Sequence, residues 1–275
     1  MIVSIITAVL RATLVAIAIS IPSLLLVPAS EDGSYIVLLG AFLIGGLVCL
    51  EYLNTYPCLL EFREAPPFNR IRFGHAFCVI LGTSLLLRGP LGETPSPLLE
   101  TISVILGHTL DFEYSPVHLV VLMLPQNLPA VFVDAMRLAA GFGFFVSLLV
   151  IAGFYTILRI TKWPLPHGSL NVWTNLPLLD PTTGGDIVDR LTREGRINIA
   201  LGIVLPFLFP AVILMLSLVF GPEFFFDLQS LAWMLIIWSV IPTTCAMRGM
   251  AMLRISALIQ NKRQAKDPSH TLQIA

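Results

Sequence analysis

Six runs of apolar residues, at roughly 9–28, 35–53, 72–89, 133–158, 198–220 and 228–247, constrain this chain more than any motif in it. A bilayer-crossing helix needs about 20 apolar residues and tolerates about 17. Each run meets that length, the third only just, because "FGHAFCVILGTSLLL" is short and contains His75. A water-soluble globule could not hide so much apolar surface. Only 12% of the residues are charged, against about a quarter in a soluble domain. Lipid must therefore be the solvent. The runs are continuous rather than alternating, which excludes a β-barrel. A lipid-exposed backbone has to satisfy its own hydrogen bonds, so each run is helical. The expected fold class is all-α: a polytopic integral membrane protein of about six transmembrane helices, forming a single transmembrane domain over 1–266 with a disordered tail at 267–275.

The opening stretch carries no basic residue before its apolar run, so it reads as a retained first helix rather than a cleaved leader, with "VPAS" (27–30) the one place where cleavage is conceivable. Basic residues set orientation. With the N-terminus inside, 14 of the 16 Lys and Arg fall on the inner side, leaving Arg88 and Arg137 outside. The expected location is a bacterial inner membrane with both termini cytoplasmic.

Residues 90–132 test this threading. "PLLETISVILGHTL" and "VHLVVLMLPQNLPAVFV" are both apolar, and if only one crossed, every later loop would change sides. The first is too short, since about ten helical residues reach roughly 15 Å. Neither is expected to cross. Ser96 and Pro97 should open a short interfacial helix that Gly107 ends. Pro125 and Pro129 break the second piece into a re-entrant or interfacial segment, or an elbow leading into the fourth crossing. On the inner side, the loop 159–197 holds a turn-rich stretch, after which Asp186 should cap a polar helix running toward the fifth crossing. The basic segment after 247 should continue the last helix along the headgroups.

The chemistry-bearing residues are few. "GHTLDFEYSPVH" places His108, Asp111, Glu113 and His118 on the outer side. Two imidazoles and two carboxylates are suitable metal ligands, but Gly107, Ser115 and Pro116 make the segment loop-like and leave convergence unspecified. A solvated outer face is the expectation, because an outer loop is polar and acids there already follow the charge asymmetry. His75 lies on a small-residue helix face where an imidazole could ligate the metal of a haem or chlorophyll. No second crossing carries a histidine at comparable depth, so a hydrogen-bonded boundary histidine is the expectation. Asp134 and Arg137, three apart, should form a buried-charge pair on one helix face. The four cysteines show no CxxC spacing, and "DPTTGGD" lacks the GxxxxGK[ST] of a phosphate loop.

No cofactor is therefore expected, with a metal or tetrapyrrole as the alternative. A net charge of −1 and the lack of any basic domain argue against nucleic acid. The expected partners are the lipid bilayer and other membrane proteins. The leading functional expectation is a non-catalytic membrane subunit or assembly factor of a larger complex. A small transporter or channel comes next, and an intramembrane enzyme using the outer His/Asp/Glu residues last.

Overall fold

The computed structural model describes residues 2–26, 31–93, 95–161, 163–164, 175–177, 185–221 and 223–265. The stretch "VPAS", most of the inner turn-rich loop and the tail 267–275 lie outside them. The fold is helical, without strands among the described residues. Its elements are α1 (Ile2–Leu25), α2 (Glu31–Leu53), α3 (Phe68–Leu86), a 3₁₀ turn (Gly89–Leu91), α4 (Pro97–Leu110), α5 (Pro116–Leu122), α6 (Ala130–Ile160), α7 (Ile187–Phe220), a second 3₁₀ turn (Glu223–Phe226) and α8 (Leu228–Gln264). Six of these helices (α1, α2, α3, α6, α7 and α8) are long and apolar enough to span a bilayer. The chain is a polytopic α-helical integral membrane protein.

Contacts between named residues fix the direction of each span. Gly45 of α2 lies against Ala12 and Ala16 of α1, and the Arg11 guanidinium sits 4.1 Å over the Tyr52 ring, so α1 and α2 are antiparallel. Phe68 meets Phe154, His75 bonds Ser147, and Gly82 faces Phe142, so α3 and α6 are antiparallel too. Asp186 pairs with Arg263 and Pro206 with Trp238, which runs α7 against α8. Ser23 near the end of α1 accepts from Gln229 at the start of α8. The spans alternate, and the start of α1 lies at the same end of the bundle as the close of α8. That end carries nearly all the Lys and Arg, and we call it the basic end; the other is the acidic end.

The segment between α3 and α6 leaves and returns at the acidic end, so it makes no net crossing, as the charge argument requires. Its details differ from expectation. Ser96 makes no side-chain cap bond, and α4 continues past Gly107 to Leu110. Gly107 is instead a crossing point: a Cβ on Gly141 of α6 would lie 2.6 Å from the Gly107 Cα. The glycine serves tertiary packing rather than helix termination. The second piece divides into α5, capped by Ser115, and a break at 123–129 before α6 begins at Ala130. Asp186 caps as expected, accepting from the Val188 N–H. The polar helix it opens is one continuous α7 through residue 220, and α8 likewise runs unbroken through the basic segment to Gln264.

Lipid is as apolar as leucine, so burying leucine does not drive these helices together; close packing and polar contacts do. α7 and α8 touch along most of their shared length through Gly195, Gly202 and Gly249. Pro210 cannot donate to the carbonyl of Pro206 four residues back. The Trp238 indole N–H fills that vacancy at 2.9 Å. The proline pair thus marks a helix–helix bond.

The basic end is closed by a knot of backbone between α2 and α3. Glu51 accepts the N–H groups of Cys58, Leu59 and Leu60, while Arg63 donates to the carbonyls of Glu51, Asn54 and Thr55. The guanidinium therefore satisfies the orphan carbonyls at the α2 C-terminus and complements its dipole. Phe62 folds in at φ 53 beneath Phe68 and Trp163, and its buried neighbour Glu61 forms a bidentate pair with Arg248 of α8 at 2.6 and 2.9 Å.

Candidate functional site

The fold joins two groups of residues that the sequence keeps apart. Asp111 closes α4, His118 lies in the first turn of α5, and Asp134 and Arg137 lie in the first two turns of α6. His118 Nδ1 stands 2.6 Å from Asp111 Oδ1, and Arg137 Nε donates to Asp111 Oδ2 at 2.8 Å. Arg137 also donates to Asp134 Oδ1. The expected Asp134–Arg137 pair thus forms but is not buried, the Asp134 side chain being 64% exposed, and it is one edge of a four-residue chain at the acidic end. Asp111 is its hub and staples three helices together.

His108 and Glu113 stay out of this network. Both are exposed, and no bond joins either to Asp111 or His118. Among the described residues no group of three or more His, Cys, Asp or Glu is arranged to hold a metal ion. His75 is buried at the α3–α6 contact, where its Nε2 meets the Ser147 hydroxyl at 3.0 Å. Ser147 already donates to the Gly143 carbonyl, so His75 Nε2 is the donor and Nδ1 carries the lone pair. That Nδ1 is buried with no hydrogen-bond partner.

The network's electrostatics follow from its geometry. Partial burial pushes the Asp111 carboxyl up, but hydrogen bonds from His118 and Arg137, together with their charges, outweigh it and hold the group below the usual carboxylate range. The bond to Asp111 fixes the His118 ring through Nδ1 and leaves Nε2 on the far side of the ring. Chemically the arrangement is an oriented imidazole on a partly exposed helix turn. No described residue accepts or donates at Nε2.

The depressed carboxyl has a testable consequence. A group whose folded pKa is lowered stabilises the fold fully above its unfolded pKa, about 3.9 for Asp, and loses that contribution as pH falls through the lower folded value. Asp111→Asn should therefore destabilise the fold at neutral pH by about 1–3 kcal/mol for a lost charged partner, read as a lower thermal unfolding midpoint. The gap from wild type should close in acid. A gap of constant size from pH 7 to about 3 would show that Asp111 does not carry the tie.

Sequence reasoning missed the Glu61–Arg248 pair and the Glu51–Arg63 cap, whose partners are set by tertiary structure. No signal in the sequence singles these acids out, because Glu64, Asp186, Asp189 and Glu194 share the basic side with them. Comparison of the chain with family models, curated proteins and solved structures finds no match.

Proposed function

We propose that this chain is a non-catalytic membrane subunit or assembly factor of a larger complex, seated in a bacterial inner membrane with its basic end toward the cytoplasm. The observation that carries the reading is the position of α2. It packs along α1, and no other described helix packs along it to a comparable extent. Its remaining surface, with Leu39, Phe42, Leu43 and Leu50 exposed, faces the bilayer. A Cβ on Gly46 would meet nothing within 4 Å, so that face has room for a close-packed helix of another protein. The C-terminus of α2 is pinned by Glu51 and Arg63, which makes the exposed face a rigid one. The charge asymmetry supports the orientation.

The test is extraction of tagged protein at native expression, with mass spectrometry of what co-purifies, for wild type and Gly46→Ile. The expected result is a stoichiometric membrane partner that the variant loses while its thermal midpoint stays unchanged. A wild-type chain that purifies alone, or a partner indifferent to Gly46→Ile, overturns this use of α2.

A second reading rests on the oriented His118 imidazole: an enzyme acting at the acidic end, with His118 as proton acceptor. It requires that His118→Ala abolish an activity that His108→Ala leaves intact, since only His118 is held by a carboxylate.

A further inference from the structure

Between α6 and α7 the bundle is not closed. Both helices pack on α8, yet they do not pack on each other to any extent comparable with those contacts. The gap is an open-sided cavity of about 500 Å³, with α8 as its floor and a wall that is almost wholly apolar. It runs along α6 from Phe144 to Tyr155, a helical rise of about 16 Å. That is about half the thickness of a ~30 Å hydrocarbon core, the depth of one leaflet. That length and the apolar wall suit one hydrocarbon chain. The hydroxyls in its wall do not make it polar: Ser147 donates to Gly143 O, and Thr243 to Ser239 O.

One end of the cavity is charged. Tyr155 lines it, and Arg159, one turn further along α6, donates from Nε to the Tyr155 hydroxyl at 2.9 Å and stacks on its ring at 5.1 Å. Across the gap, Ile199 and Ile203 of α7 line the wall. Arg196 lies three and seven residues before them, on the same helical stripe toward the basic end. Arg159 and Arg196 are both exposed, and neither has a carboxylate partner among the described residues. Arg248 and Arg263 of α8, by contrast, are paired with Glu61 and Asp186.

We propose that this cavity is a lipid site, in which one acyl chain of an anionic phospholipid lies between α6 and α7 and its phosphate sits on Arg159 and Arg196. Apolar length and two guanidiniums without a carboxylate partner at the headgroup end match that molecule and no zwitterionic one as well. Bound there, the lipid fills a seam that the chain leaves open and ties α6 to α7.

The experiment uses the full-length protein in mild detergent, titrated with phosphatidylglycerol or phosphatidylcholine, with retained lipid counted by native mass spectrometry. Wild type should retain one phosphatidylglycerol in preference to phosphatidylcholine. Arg159→Gln with Arg196→Gln should weaken retention roughly 30-fold, the effect of two guanidiniums on an anionic lipid. Arg70→Gln with Lys262→Gln, which removes equal charge from exposed positions at the same end, should leave it unchanged. Ile203→Trp should block the chain. A photo-crosslinker at position 203 supplies a readout that needs no disabled variant, and its expected adduct is lipid. Equal retention of the two lipids, equal behaviour of the two double variants, or a protein adduct at 203 overturns the proposal.

Discussion

Gly249→Leu is expected to yield little or no folded protein, while Gly153→Leu on α6 behaves as wild type. At Gly249 the α7 backbone passes so close that a Cβ would lie 2.6 Å from Gly195 O and 2.8 Å from Ile199 N. Those atoms belong to a helix backbone, so neither can rotate aside. The added side chain must part α7 from α8, and the parting propagates because the two helices touch along most of their shared length. Opening this seam would also strand the Trp238–Pro206 bond and the Asp186–Arg263 pair. Overpacking ordinarily costs about 1–3 kcal/mol, and a clash with backbone along the longest helix contact should reach or exceed about 3 kcal/mol, the top of that range. At Gly153 nothing lies within 4 Å, so the same substitution adds only a lipid-facing side chain. Monodispersity by size exclusion and the thermal midpoint in detergent read both outcomes. If the two variants behave alike, the α7–α8 approach is looser than described.

The second large effect is expected at Glu61. Its carboxylate is buried and binds the Arg248 guanidinium through both oxygens, joining the knot after α2 to the middle of α8. Glu61→Ala leaves that guanidinium with Glu194 at 3.7 Å as its nearest acid, a longer contact that cannot replace two short bonds. Removing one partner of a buried pair costs about 3–5 kcal/mol; with Glu194 near, the lower figure applies. Replacing both partners with apolar groups removes the stranded charge as well. The double variant Glu61→Ala, Arg248→Met should therefore be more stable than Glu61→Ala alone. A double variant as unstable as the sum of the single ones would mean that the pair's energy lies in packing rather than in its charges. Because the knot also carries the α2 C-terminus, Glu61→Ala should weaken any partner that docks on α2, an effect that Gly46→Ile would produce without loss of stability.

The bundle's membrane character was legible because the bilayer imposes lengths and forbids unsatisfied backbone, and both conditions act on contiguous residues. Thus the six spans, the even number of crossings between 90 and 132, and the Asp186 cap could all be read along the chain. So could the continuation of the last helix into its basic segment. Helix extents were less legible. Apolar windows end where charges begin, yet α7 starts 11 residues before its apolar window at 198. Backbone hydrogen bonding carries a helix through polar residues once it is started.

Gly107 shows how a local signal misleads. A glycine after a short apolar run resembles a helix end, but only the arrival of Gly141 from another helix decides that it is a crossing point. The polar contacts divide in the same way. Asp134 and Arg137 lie three apart, and helical spacing alone brings them together. Asp111 reaches Arg137 across 26 residues and Glu61 reaches Arg248 across 187, distances at which no pattern in one sequence couples the choices. The lipid-sized seam between α6 and α7 was invisible for a related reason: it is a space left when two helices share a third. Hydropathy reports what each helix can lie in, not what lies beside it. Composition and hydropathy therefore established solvent and spans, whereas pairing, close approach and open space belong to the tertiary structure, because they depend on residues that meet only after the chain has folded.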